Sequence, residues 1–231
     1  MCSRYAFVPD SAAWADFRAV LGAVAEELLA LAAQPKLSPT DRVPIVVQQP
    51  GTPPQVIHAR WGFIPHWWSK PELPRLSFNA RSEEAAAKPM WRDALRATRC
   101  LIPATHWFEW QHLHGAKIPH TLTPGDGRGF MFAGLWSLWR ARNGKGSDEF
   151  SRRHGQTGPL RAENSSDPFP TCVILTTEAT EAVRDVHDRM PVVLAPQAWL
   201  RWIDPAWTDS AAALALLREH GVRAVQAVTV R

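Results

Sequence analysis

An α+β domain with a strand-rich centre is predicted by three features of this 231-residue chain. An amphipathic stripe opens the sequence, short runs rich in β-branched and aromatic residues fill its middle, and no βαβ alternation links them. Residues 1–231 are read as a single domain. Hydrophobic and charged fractions of 45% and 21% exclude wholesale disorder and a coiled coil.

The elements follow in order. Trp14, Phe17, Leu21, Val24, Leu28 and Leu31 recur at spacings of three and four, which predicts one helix from Asp10 to about Ala33, capped by Asp10 or Ser11 and packed on a sheet. After Pro35 and Pro39, strands are predicted at Ile45–Val47, Val56–Trp61, Cys100–Ile102, Trp107–Trp110, Phe130–Trp136 and Cys172–Thr176. A helix over 85–97, interrupted by Pro89, and another from Glu178 to about Val186 lie between or after them. Residues 143–170 are rich in Gly, Ser, Arg and Pro, lack either period and are read as a flexible surface insertion. A short helix after Pro196 carries Trp199 and Trp202. Asp209 caps a further helix that runs through His220 and stops at Gly221, and Val222–Val230 alternates as a last strand.

No apolar run approaches the roughly 18 residues of a spanning helix, and the N-terminus reaches Pro9 and Asp10 before a signal-type apolar region forms. A cytoplasmic protein is expected. Cys2, Cys100 and Cys172 are too few and odd in number for a disulfide framework and contain no CxxC pair, so reduced thiols are expected. The net charge of +4 is mild, but most of the basic residues are Arg, which suits bidentate phosphate recognition.

Several residues are candidates for chemistry. With Met1 removed, Cys2 would become a 1,2-aminothiol, selective for aldehydes because the amine forms a Schiff base and the thiol closes on it to a thiazolidine. An α-amine of pKa about 8 is neutral far more often at neutral pH than a lysine amine of about 10.4, and the ring closure gains from proximity. A merely buried second residue is the alternative. Glu109, in Trp107-Phe108-Glu109-Trp110, shares a strand face with Trp107, where apolar surroundings would raise its pKa; the alternative is a surface carboxylate paired with Arg. His187 opens His187-Asp188-Arg189-Met190-Pro191 at a helix end, as a titrating group or a turn residue. Asn79 and Arg81 in Asn79-Ala80-Arg81 are ambiguous in the same way. Trp67 and Trp68 follow a proline in a loop fit for base stacking. His106, His112, His114 and His120 could chelate, but no Cys or acidic ligand accompanies them at zinc-like spacing, so no metal site is read. Phosphate-loop, dinucleotide, nucleophile-elbow and HExxH patterns are absent, and no cofactor is implied.

The ordered set Met1-Cys2-Ser3-Arg4-Tyr5, Trp61-Gly62-Phe63-Ile64-Pro65, Asn79-Ala80-Arg81-Ser82-Glu83, Arg99-Cys100-Leu101-Ile102-Pro103-Ala104, Trp107-Phe108-Glu109-Trp110, Phe132-Ala133-Gly134-Leu135-Trp136 and His187-Asp188-Arg189-Met190-Pro191 resembles the SRAP family, the SOS-response-associated peptidase-like proteins that process abasic sites in DNA. The resemblance implies a barrel-like core with peripheral helices and a basic groove for single-stranded DNA. It also implies a covalent thiazolidine crosslink to abasic sites through Cys2 and an associated autopeptidase activity that removes Met1. By the same resemblance Asn79 positions the aminothiol, Glu109 is the acid/base, His187 assists proton transfer, Arg4 and Arg81 contact phosphates, and Trp67 and Trp68 stack near the lesion. A monomer acting on single-stranded DNA is expected, with hydrolase or lyase chemistry. Ser3 stands where the family has Gly, and Gln34-Pro35-Lys36-Leu37-Ser38-Pro39 departs from its Arg-Tyr-Asn-x-Ala-Pro, leaving Lys36 as the substitute phosphate contact. Two further classes remain open: a thiol peptidase using Cys2 with His187 or Glu109, and a non-catalytic binder of single-stranded nucleic acid.

Overall fold

The computed structural model describes residues 2–9, 14–70, 72–125, 128–140 and 168–229. Five strands close a barrel: β3 (Arg42–Val47), β4 (Gln55–Trp61), β6 (Arg99–Ala104), β9 (Phe130–Trp139) and β10 (Phe169–Glu178). Five of the six segments that the sequence marked by β-branched and aromatic density are here, because a strand with both faces covered reads as a nearly continuous apolar run, and the sixth, Trp107–Trp110, lies in the second sheet. β3 pairs antiparallel with β4 and β6, β6 with β9, and β9 with β10, and a parallel contact of Thr171 and Cys172 with Arg60 and Trp61 completes the ring.

At Trp61 the chain leaves that ring. Gly62 has φ 153°, and a Cβ there would run into the Arg60 guanidinium, so glycine is required at the exit. The loop that follows carries Trp67 and Trp68 and returns as β5 (Asn79–Arg81), which takes up the parallel pairing with β10 where β4 ends, Asn79 opposite Ile174. Asn79 thereby gets a fixed place at the end of the barrel.

The second sheet is antiparallel. It runs in the order β13 (Val225–Thr229), β8 (Ala116–Pro124), β7 (His106–Leu113), β1 (Tyr5–Phe7) and β2 (Gln34–Leu37). Tyr5 opposite Trp107 on β7 sets the position of the N-terminus. Tyr5 packs edge-on against Trp61 at 5.2 Å and Phe132 at 5.7 Å, and Trp107 packs on Phe130 and Phe132, so aromatic rings join this sheet to the barrel. β11 (Arg189–Pro191) forms a hairpin with the end of β10, and β12 (Val193–Leu194) pairs with β9.

The N-terminal stripe forms two helices rather than one. α1 (Ala15–Leu21) ends at Gly22, whose φ of 54° starts α2 (Ala23–Leu29) in a new direction. Phe17, Leu21, Val24 and Leu28 are buried all the same, and α2 lies on β4. The caps expected at Asp10 or Ser11 lie outside the described residues. Pro89 delays the helix expected from Ala85: a 3₁₀ turn occupies Ser82–Glu84 and α3 runs only over Arg92–Ala97. Glu178 is not helical. It pairs with Arg189 as the last residue of β10, and α4 is the single turn Glu181–Arg184, because hairpin pairing outweighs local helix preference. α5 (Trp199–Ile203) follows Pro196, and α6 (Ser210–His220) is capped by Asp209, whose Oδ1 accepts from the N–H groups of Ala211 and Ala212 at 2.8 and 3.0 Å. The expected insertion at 143–170 lies outside the described residues as far as 167. Phe169 and Pro170 instead open β10. No described helix is long and apolar enough to cross a membrane.

Arg99 joins the barrel to the helices. Its guanidinium donates to the carbonyls of Leu95, Arg96, Trp202, Asp204 and Trp207 at 2.6–2.9 Å and lies over the rings of Trp202 and Trp207. Five backbone acceptors at helix ends and turns thus have one charged donor.

Candidate active site

Strand pairing brings the N-terminus to β7. Beyond Tyr5, the N–H of Phe108 donates to the Arg4 carbonyl at 2.9 Å, which carries the pairing one step further along β7 toward Glu109. Alternation on β7 turns Trp107 and Glu109 inward and leaves Phe108 and Trp110 half-buried, as the sequence predicted. Glu109 is therefore no surface carboxylate: it is 2% exposed. Its burial, with the charge of Asp188 adding to the effect, raises its pKa to about 7.

Cys2 is fully buried, with its thiol 3.8 Å from the Arg4 carbonyl. Burial and the nearby Glu109 charge push its pKa well above the ordinary thiol value, so it is a thiol and not a thiolate at neutral pH. Cys2 is thus a buried residue that lies within electrostatic reach of Glu109. Asn79 reaches it from the barrel end, Nδ2 donating to the Cys2 carbonyl at 2.7 Å across 77 residues of sequence.

His187 approaches from the loop between α4 and β11. The Gln111 side chain donates to the Asp185 carbonyl at 3.0 Å and contacts His120 Nε2 at 3.2 Å, tying that loop to β7 and β8. His187 and Glu109 line one cavity of about 530 Å³, together with Trp110, Lys117, Arg184 and Asp188. Two partners compete for His187 Nδ1: the Arg189 N–H at 3.0 Å needs it unprotonated, and Asp188 Oδ1 at 2.8 Å needs it protonated. Burial lowers the His187 pKa, which favours the neutral ring and the Arg189 contact.

The remaining candidates take different places. Arg4 lies 5.0 Å over the Trp110 ring at the rim of the cavity. Arg81 is exposed, 3.4 Å from Glu84, and lines a neighbouring cavity with Arg184 and Arg189. Trp67 and Trp68 do not enter either cavity. The Trp139 Nε1–H bond to the Trp68 carbonyl at 3.0 Å places the pair by the start of β10, where Trp139 pairs with Phe169. That is five residues, or about 17 Å, along β10 from the register position of Asn79. Trp67 is 45% exposed there. Lys36 is exposed on the edge strand β2. His106 contacts Thr105 and His120 contacts Gln111, and among the described residues no group of three or more His, Cys, Asp or Glu is placed to hold a metal ion.

Sequence reasoning missed Arg184, Trp110 and Gln111 as parts of the site. Arg184 lies on a four-residue helix with no motif around it, so no local pattern marked it. Trp110 was legible only through strand alternation, which puts it on the outer face where Arg4 lies.

A sequence profile described as SOS response associated peptidase (SRAP) matches residues 1–231. The chain is 32% identical over 172 residues to "Abasic site processing protein YoqW" of Bacillus subtilis, a match that covers 74% of this chain and 67% of that protein. It is 34% identical over 151 residues to "Abasic site processing protein YoaM" of the same organism, covering 65% and 57%. A crystal structure of a protein from Bacteroides thetaiotaomicron superposes with a TM-score of 0.72 at 23% identity, over 100% of this chain and 92% of that one.

Proposed function

This chain belongs to the SOS response associated peptidase family, and on that premise we propose that it processes abasic sites by forming a covalent thiazolidine between Cys2 and the ring-opened sugar in single-stranded DNA. One observation carries the reading. Cys2, Asn79, Glu109 and His187 come from four separate segments and converge on one buried corner beside a cavity.

The chemistry requires removal of Met1, which frees the Cys2 amine; autoproteolysis at the Met1–Cys2 bond is part of the proposal. The amine nitrogen then adds to the aldehyde carbon, and the hydroxyl of the resulting carbinolamine leaves as water to give an imine. The Cys2 sulfur adds to that carbon, its proton ends on the ring nitrogen, and the net loss is one water. Glu109, with a pKa of about 7, is populated both as an acid that protonates the leaving hydroxyl and as a base that takes the thiol proton. A buried thiol needs such a base because burial works against its ionisation. Asn79 fixes the backbone at Cys2, so amine, thiol and aldehyde meet in one geometry. In this reading His187, kept neutral by burial and lining the same cavity as Glu109, moves a proton at the sugar.

A thiol peptidase acting on other proteins would need a lowered thiol pKa, and the environment of Cys2 raises it. A non-catalytic binder would have no use for a carboxylate buried next to that thiol. The test is intact mass spectrometry of the protein before and after incubation with an oligonucleotide holding one abasic site. Loss of Met1 and an adduct equal to the oligonucleotide minus one water, absent in Cys2→Ala, is the expected result. A protein that has lost Met1 and gains no adduct refutes the proposal.

A further inference from the structure

The cavity holding Glu109 and His187 has two walls that are far apart in the chain. One is made by β7 and β8 and carries Glu109; the other is residues 184–188 and carries His187. Glu109 is fixed by strand pairing, opposite His120 on β8. His187 is held from both sides. One residue after it, the Asp188 carbonyl accepts from the Ala179 N–H at 2.9 Å, a main-chain bond that extends the hairpin of β10 and β11. Two residues before it, the Asp185 carbonyl accepts from the Gln111 side chain at 3.0 Å.

The second of these ties crosses to the strand of Glu109. Gln111 lies two residues beyond Glu109, about 7 Å along β7 and on the same face by strand alternation. Its orientation follows from its partners. A main-chain carbonyl only accepts, so Nε2 of the Gln111 amide faces Asp185, and Oε1 is left to accept from His120 Nε2 at 3.2 Å, which therefore carries the ring proton. His120 is 8% exposed, and its place opposite Glu109 puts it on the same face of the sheet. A line of hydrogen bonds thus runs from β8 through Gln111 on β7 to the loop of His187.

We infer that Gln111 is a positioning residue: by joining β7 to the Asp185 carbonyl it sets the separation of Glu109 and His187, and His120 holds its amide in the orientation that this bond needs. This rests on the function proposed above. The bond acts on the placement of two catalytic groups, so its loss falls on the rate of crosslinking and leaves the affinity for DNA alone.

The test uses the full chain and measures two quantities: the single-turnover rate of adduct formation with a saturating oligonucleotide that holds one abasic site, and the affinity for the same oligonucleotide with a tetrahydrofuran in place of that sugar, which has no aldehyde to trap. Gln111→Met keeps the length of the side chain and removes both hydrogen bonds. It slows the adduct by about 3- to 10-fold, the worth of one neutral hydrogen bond, at unchanged affinity. Gln111→Asn keeps the amide but falls one methylene short, and gives the same loss from a polar side chain. Gln111→Lys restores the rate, because the Asp185 carbonyl needs only a donor. In a His187→Ala background the Met substitution costs nothing further, since it acts through that ring. A parental rate in folded Met and Asn variants overturns the inference, as does a full additional loss in the His187→Ala background or a fall in affinity that matches the fall in rate. Absence of any adduct with the unmodified protein refutes the proposed function instead.

Discussion

Replacing Glu109 with Gln isolates the cost of burying an ionisable carboxyl next to the reactive thiol. Its pKa of about 7, against 4.5 for an unperturbed carboxylate, means the native state holds a proton that the unfolded chain releases. Between those two values the native state binds more protons, so stability falls as pH rises through that window and is level above it. At 1.36 kcal/mol per unit the full difference is about 3 kcal/mol, and the residue's 2% exposure leaves little solvent to reduce it. Gln keeps the shape and cannot ionise. Urea unfolding of both proteins between about pH 4.5 and about pH 8 should therefore show the variant gaining on the parent by about 3 kcal/mol. Contributions from His187 and other groups common to both proteins cancel in the difference. A stability difference that is flat with pH would show that Glu109 titrates normally, and the assignment of acid and base roles would lose its basis. The same substitution should slow adduct formation at every pH.

Three other perturbations probe separate parts of the molecule. Asn79→Ala removes the 2.7 Å bond to the Cys2 carbonyl and should slow crosslinking by about 10- to 100-fold while DNA binding is retained, measured by single-turnover gel assay. Arg99→Met leaves five carbonyl acceptors without their donor and should cost about 3–5 kcal/mol in urea unfolding. Arg99→Lys should recover only part of that, because an ammonium cannot reach acceptors arranged around a planar fork. Gly134→Ala places a Cβ 2.8 Å from Ile102 Cδ1 and 2.9 Å from Cys100 Sγ inside the barrel, and overpacking of that kind should lower stability by about 1–3 kcal/mol by the same measurement.

The barrel strands were legible in the sequence because burial on both faces leaves a dense apolar signature that needs no partner to be read. The cap of α6 and the facing of Trp107 and Glu109 were legible for similar reasons, since helix capping and strand alternation are local. Strands β1, β2, β5 and β8 were not legible. Three of them are only three or four residues long, β8 contains two prolines and a histidine, and each is a strand because a neighbour pairs with it. The break at Gly22 and the strand end at Glu178 depended likewise on packing that periodicity does not report.

The site divides in the same way. By itself the sequence determined which groups were candidates, because a cysteine at position 2, a carboxylate between indoles and a histidine before Asp188 are chemical facts about side chains. Only the tertiary structure decided that they share one corner, that Trp67 and Trp68 lie apart from it, and that burial shifts Glu109 up and His187 down. The physical reason is that reactivity belongs to a residue, whereas distance, desolvation and the field of neighbouring charges belong to residues far apart in the chain.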